Sequence, residues 1–280
     1  MSVTHVPPAV DRIHAGVPGM QMPVDGHWQA AAATDPAAQA RLEAAAAAAS
    51  RELESATAGD IIQWAAAAIP EFVVTSSFGI DASVLLHLVA THAPDTPVIF
   101  LDTGLHFPET IDYRDTLTEL LDLKVVTVTS PLAVEDQATL FGRRLFARDA
   151  DTCCRLRKGL PLQAALSRAD GWASGVRRSQ TPRRADTPIV GTARKGDRIL
   201  LKVAPLAAWS DGDMVAHRRT HGLPAHELEA RGYRSVGCEP CTRPTAPDED
   251  ARAGRWAHEP DKTECGIHID PDLGLVRTSA

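Results

Sequence analysis

Five cysteines carry the chemistry most plainly legible in this chain of 280 residues, and all lie in its second half. Cys153 and Cys154 are adjacent in D-T-C-C-R-L-R-K, Cys238 and Cys241 form C-E-P-C, and Cys265 stands alone in K-T-E-C-G-I-H. The two close pairs are separated by 83 residues. In a reducing compartment, close thiol pairs point to a metal before a disulfide. Four thiolates complement either a [4Fe–4S] cluster or a structural zinc ion. C-E-P-C suits a zinc knuckle, but adjacent cysteines do not, because neighbouring side chains diverge and chelating one ion with both is strained. A cluster offers each thiolate its own iron, so the pattern favours a cluster over zinc and over four unligated thiols. Cys265 remains as a nucleophile, or else as an ordinary small buried residue. Its neighbours Glu264, Gly266 and His268, in a tail rich in proline and charge, read as an exposed, mobile segment.

Two polar stretches could hold an anion. S-S-F-G-I-D follows a strand pattern and opens a helix, so Ser76, Ser77 and Gly79 would let backbone N–H groups and the helix N-terminus approach negative charge. It is not a Walker A loop, and a plain strand-to-helix turn explains the same residues. L-D-T-G is a weaker signal of the same kind. Arginines say more: Arg177, Arg178, Arg183 and Arg184 fall in one stretch, and Arg252 and Arg255 shortly precede Cys265. Guanidinium groups bind phosphate and sulfate in bidentate fashion and stay charged. In a chain of net charge −7, such clustering favours an anionic substrate over a solvated basic face.

The scaffold that positions these residues is read from composition and periodicity. A hydrophobic fraction of 44% supports a real core, and a charge of −7 argues against broad nucleic-acid binding. No apolar run approaches the length of about 18 residues that spans a bilayer. The start, M-S-V-T-H-V-P-P, lacks a basic region followed by an apolar one, so a cytoplasmic protein is expected. Residues 1–30 read as an extended arm, 35–56 as an alanine-rich, weakly packed helix, and 57–68 as a second helix ended by Pro70. From Glu71, strands alternate with helices: strand Phe72–Ser76, helix Ala82–His92, strand Pro97–Thr103, helix 108–121, strand Lys124–Thr129 and helix 132–141. This order predicts an α/β fold, a mostly parallel twisted sheet with helices on both faces. Ligands bind such sheets at the carboxyl ends of the strands, so S-S-F-G-I-D and L-D-T-G should face one crevice. Residues 155–168 read as a helix that is basic at its start, and 171–190 as a short strand followed by an arginine-rich loop. Ile199–Val203 reads as a strand, and Trp209–His221 as a helix capped by Ser210 or Asp211. From Gly222 onward the chain is loop-rich. The expected organisation is an arm and helix over 1–56, a nucleotide-binding α/β unit over 57–221, and a C-terminal segment over 222–280 that belongs to the same domain.

From about Asp60 to His268 the chain resembles the assimilatory adenylyl-sulfate (APS) reductases, relatives of the phosphoadenylyl-sulfate (PAPS) reductases. The resemblance rests on S-S-F-G, V-I-F-L-D-T-G-x-H-F-x-E-T, C-C-R-L-R-K-x-x-P-L, G-x-R-R, P-L-A-A-W, G-C-E-P-C-T-R, G-R-W and K-T-E-C-G-I-H. It implies an adenine-nucleotide α-hydrolase-like fold and a [4Fe–4S] cluster on Cys153, Cys154, Cys238 and Cys241, with Cys265 as the nucleophile. It also implies phosphate-loop roles for Ser76, Ser77 and Gly79, adenine and ribose contacts at Leu101, Thr103 and Gly175, and phosphosulfate contacts at Lys158, Arg184, Arg252 and Arg255. Coexistence of the terminal cysteine with both pairs is similar to the APS-specific branch. Arg234 stands where that family has proline, which bears on the path into Cys238. The alanine-rich N-terminal arm has no clear counterpart.

The chemistry implied is attack of the Cys265 thiolate on the sulfur of APS, with AMP leaving. A reduced thioredoxin or glutaredoxin then attacks the S-sulfonate and releases sulfite. The cluster need not change redox state, and Lys158 would link it to the substrate. The alternatives are a PAPS-using or dual-specificity reductase, a tRNA-thiolating enzyme of related fold, and a non-enzymatic cluster sensor. Ile80, at the lysine position of an S-G-G-K-D-S loop, disfavours the thiolating enzyme. No nucleic-acid or membrane partner is expected, and a homo-oligomer is compatible with the sequence.

Overall fold

Short β-branched runs flanked by helices build the centre of the molecule, in a computed structural model that describes residues 28–259, 262 and 264. The seven-stranded sheet has β2 (Phe72–Ser76), β3 (Val98–Asp102), β4 (Val125–Thr129), β5 (Gly171–Ser174) and β7 (Arg198–Val203) parallel in the order β7-β5-β2-β3-β4. Two antiparallel additions flank β7: the two-residue β1 (Ala31–Ala32) and β6 (Val190–Lys195). Strand order reverses direction at β2, so the crevice outside the carboxyl ends of β2 and β5 is the expected ligand site.

Alternating side chains separate two layers, as the pleat demands. Val98, Phe100, Ala173 and Leu201 join the main core with helices α1 (Pro36–Leu53), α2 (Ala58–Ala68), α3 (Ala82–His92) and α4 (Pro108–Leu120). Ile99, Trp172 and Leu200 face the other way, onto Leu162 and Leu166. Helices therefore cover both faces, as the alternation predicts. The α1 helix differs from expectation. Leu42, Ala46, Ala49 and Leu53 are buried in the main core, and the helix packs on β6. Small side chains let α1 lie close to the strands, so the shortage of large residues does not make the packing weak.

Downstream of β4 come α5 (Val134–Phe141), α6 (Leu145–Arg148) and α7 (Ala150–Cys154). A π-helical turn over Arg155–Gly159 and α8 (Leu160–Ala165) continue the run. Helix thus starts before the tandem cysteines rather than after them, capped by Asp149, whose carboxylate accepts from Thr152 N at 2.9 Å. Helix α9 (Asp211–Thr220) begins in a capping box of Ser210 and Asp213. Beyond it the described chain is loop with two 3₁₀ turns, as read from the sequence.

Candidate metal centre and substrate site

Cys153, Cys154, Cys238 and Cys241 line one cavity together with Lys158 and Arg255. Two segments distant in sequence meet there. Cys153 and Cys154 sit on the last turn of α7, where successive side chains diverge by about 100° around the helix. The π turn that follows redirects Arg157 and Lys158, and both are buried. Such turns inside helices often mark functional sites. Cys238 and Cys241 bracket a 3₁₀ turn that pairs with the L-D-T-G loop: Glu239 N donates to Leu105 O at 2.8 Å. The Thr103 hydroxyl lies 3.4 Å from Cys238 Sγ.

None of the four thiols is in a disulfide. Burial and the neighbouring Cys238 push Cys241 up to about 11, with Lys158 and Arg255 opposing. The same causes raise Cys153, which Gln137 Nε2 approaches at 3.9 Å. Four sulfurs without oxygen or nitrogen donors, beside buried cations, fit a Cys₄ metal group. Adjacent cysteines on a helix point their thiols apart, a donor set that would suit a group with several metal atoms better than one ion. Gln137 is a supporting residue that the sequence reading missed. Its Oε1 accepts from Arg157 Nε at 3.1 Å, and Leu132 O accepts from Arg157 Nη2 at 3.1 Å. A polar residue in a short helix gives no sequence signal of this kind.

Ser76, Ser77, Gly79 and Gly175 lie at or just past the carboxyl ends of β2 and β5. Ser76 ends β2, next to Phe100 of β3 and one residue past the Thr75–Ser174 pairing with β5. Its hydroxyl accepts from Phe78 N at 3.1 Å, and Phe78 takes a left-handed φ of 49°. That strained residue is held by its own burial and an edge contact with Phe100, centroids 5.4 Å apart. Ser77 and Gly175 are exposed at the crevice, and Gly79 is half-buried there. Leu101 packs instead into the second layer beneath the sheet. Thr103 is fully buried, turned toward Cys238.

The arginines divide into two groups, which corrects the reading of one anion-binding cluster. Arg177 is buried between Asp81 at 2.7 Å and Asp211 at 2.6 Å, and Arg178 holds both oxygens of Glu54. These two tie helices together. Arg184 instead faces the far C-terminal segment: its Nε and Nη2 donate to the two oxygens of Glu264 at 2.7 and 2.6 Å. Arg252 Nη2 reaches Glu264 Oε2 at 3.5 Å. Burial alone would raise the Glu264 carboxyl, but Arg184, Arg252 and Arg255 hold it below its ordinary range. Lys202 adjoins this group, and burial with Lys195 and Arg184 brings its pKa down to about 8. Two residues before Glu264, Lys262 pairs with Asp151 of α7 and lies 5.5 Å from the Trp256 ring. Cys265 itself lies outside the described residues.

Arg255 crosses the segment before Cys238, its Nη1 donating to Val236 O at 3.1 Å. Its Nε is buried with no acceptor among the described residues. Any side chain at Gly237 would collide with that guanidinium, and one at Gly254 would strike the Arg243 carbonyl. Arg234, at the position where proline was expected, donates to Thr245 Oγ1 at 2.9 Å and to the Ala246 and Glu249 carbonyls. The path into Cys238 is thus pinned by hydrogen bonds instead of by a ring.

The family comparison decides what this arrangement belongs to. Residues 71–244 match the phosphoadenosine phosphosulfate reductase domain. The chain belongs to that family. Within it, the chain is 45% identical over 228 residues to the adenosine 5′-phosphosulfate reductase of Streptomyces coelicolor, covering 81% of this chain and 94% of the relative. It is 40% identical over 218 residues to the enzyme of the same name from Halalkalibacterium halodurans, covering 77% and 93%. The crystal structure of a Candida auris PAPS reductase in a phosphate complex matches the fold with a TM-score of 0.64 at 23% identity, covering 72% of this chain and 97% of that one. The matched family segment contains both cysteine pairs, the strand-end loops and Arg184.

Proposed function

We propose that this chain reduces adenosine 5′-phosphosulfate to sulfite and AMP in assimilatory sulfate reduction. The observation that carries this reading is the docking of the segment before Cys265: Lys262 is held at α7 beside the cysteine pair, and Glu264 on Arg184. Glu264, the residue that precedes the nucleophile in sequence, is thereby held against Arg184 and Arg252. The relatives that carry the name APS reductase support the substrate assignment.

The Cys265 thiolate attacks the sulfur of APS. A sulfur–sulfur bond forms, the bond to the phosphate oxygen breaks, and AMP leaves with the electron pair. Arg252, Arg255 and Lys158 stabilise the charge that grows on the phosphate oxygen. Ser76, Ser77 and Gly79 bind the nucleotide phosphate at the end of β2, and Gly175 leaves room beside the sugar and base. A reduced dithiol of the thioredoxin or glutaredoxin class then attacks Cys265 Sγ, expelling sulfite. Its second thiol closes a disulfide and returns the Cys265 thiol. With four cysteines ligated, the chain holds no second thiol to do this, so the dithiol is external. Cys153, Cys154, Cys238 and Cys241 would hold a [4Fe–4S] cluster, which supplies a rigid tie between two segments and a fixed field near Lys158.

Anaerobic sulfite release from APS and from PAPS, with reduced thioredoxin, tests the reading. APS turnover should exceed PAPS turnover by about two orders of magnitude in kcat/KM, since an unmatched 3′-phosphate leaves charge uncompensated. Equal values would favour dual specificity, and no sulfite from either would sink the proposal.

A further inference from the structure

Three histidines that play no part in the reaction meet between α3 and α9. His217 and His221 stand four residues apart, and His221 N donates to His217 O at 3.1 Å, so the turn between them is helical. That spacing places both rings on one face, as in helical metal sites built on paired histidines. His87 of α3 faces them, its Nδ1 lying 3.1 Å from His217 Nε2. The His221 ring stacks on both, at centroid distances of 4.4 and 4.3 Å. One donor nitrogen from each ring lies within 4.8 Å of the other two. We propose that His87, His217 and His221 form a binding site for a divalent transition-metal ion of the zinc class, separate from the cysteine centre.

Zinc holds imidazole nitrogens at about 2.0–2.1 Å, which sets tetrahedral ligand atoms about 3.3 Å apart. The His87–His217 pair already has that spacing, and the exposed His221 completes the set with a swing of its ring. A hydrogen bond explains the first contact alone; one ion engages all three rings. Three imidazoles with no carboxylate suit zinc, nickel or copper rather than magnesium or calcium. Burial and the neighbouring imidazoles hold His217 down to about 4 and also lower His87, so both offer neutral lone pairs at pH 7. Trp209 packs edge-on against His217 at 5.4 Å and fixes its ring. His92 is excluded, because its ring lies over Gly59. An ion here clips α3, which begins at the S-S-F-G-I-D loop, to the end of α9, which leads toward Cys238.

The test titrates zinc chloride into untagged, iron-loaded protein under anaerobic conditions, by calorimetry, beside His87→Gln, His217→Gln and His221→Gln. Wild-type protein should bind one zinc per chain with its iron content unchanged, and zinc should raise its Tm. Each variant should weaken binding by at least roughly tenfold, since even outer-shell partners of such ligands cost that much. His221 is exposed, so its variant keeps the fold and the readout. No saturable binding to wild-type protein overturns the site, as does a His221→Gln or His217→Gln variant that binds zinc as tightly as wild type.

Discussion

The Glu264 carboxylate is gripped at both oxygens by Arg184, at 2.7 and 2.6 Å, across 80 residues of sequence. Both groups are buried, and a charge-assisted bidentate pair of this geometry fixes orientation as well as position. It ties the residue preceding Cys265 to the loop after β5.

Glu264→Gln should therefore lower sulfite release by about 10- to 100-fold through misplacement of the nucleophile. Iron content and APS affinity should stay near wild type, and Glu264→Asp should recover part of the loss. Because the folded carboxyl sits below its ordinary 4.5, the pair is intact above that pH and is lost as pH falls through the lower folded value. Single-turnover formation of the S-sulfonate, followed by mass spectrometry, separates this from a binding defect. Wild-type kinetics in the glutamine variant would refute the docking role.

Cys265→Ser should keep the full iron content and bind APS, yet release no sulfite. Without thioredoxin, wild-type protein should gain the mass of one SO₃ group on the peptide that contains Cys265. An adduct on any of the other four cysteines would overturn the division of labour.

Gln137→Leu should loosen the cysteine centre from behind. The buried Arg157 Nε loses its acceptor, and leaving a buried charged donor unsatisfied costs about 1–3 kcal/mol or more. Thermal unfolding should shift down, and iron should be lost faster to a chelator. A variant with unchanged Tm and iron retention would show that this contact is dispensable.

Two glycine replacements should behave differently. At Gly237 the obstacle to a Cβ is the Arg255 side chain, which can move away; at Gly254 it is the Arg243 backbone carbonyl, which cannot. Gly237→Ala should raise the KM for APS while Tm changes little, and Gly254→Ala should destabilise by about 1–3 kcal/mol. Denaturant melts and steady-state kinetics on both variants check the contrast.

Lys202 titrates near 8 when folded and near 10.5 when unfolded, so the unfolded chain binds more protons between those values. Stability contributed by this group rises with pH across that window, and below it the buried charge is a constant cost. Lys202→Met should raise Tm at pH 7, and the gain should vanish as pH approaches 10.5. A gain that persists there would point to packing instead of charge.

Periodicity determined the alternating elements from β2 to β4, because buried parallel strands and the helices between them have local signatures. The tandem cysteines, C-E-P-C and the strand-end loops were legible for the same reason: their chemistry resides in short stretches. Hairpin strand β6 was not read, although G-D between β6 and β7, with Gly196 at φ 65°, carries a turn signal. What only the tertiary structure decided is which like residues do which work. Arg177 and Arg184 are the same residue type seven positions apart. One is consumed by Asp81 and Asp211 and the other reaches Glu264, because partner choice depends on which helices and loops the sheet brings together. The same holds for His87 and for Gln137, whose partners come from segments 130 and 20 residues away. Sequence spacing specifies a face of a helix, but burial and long-range packing set which charges meet.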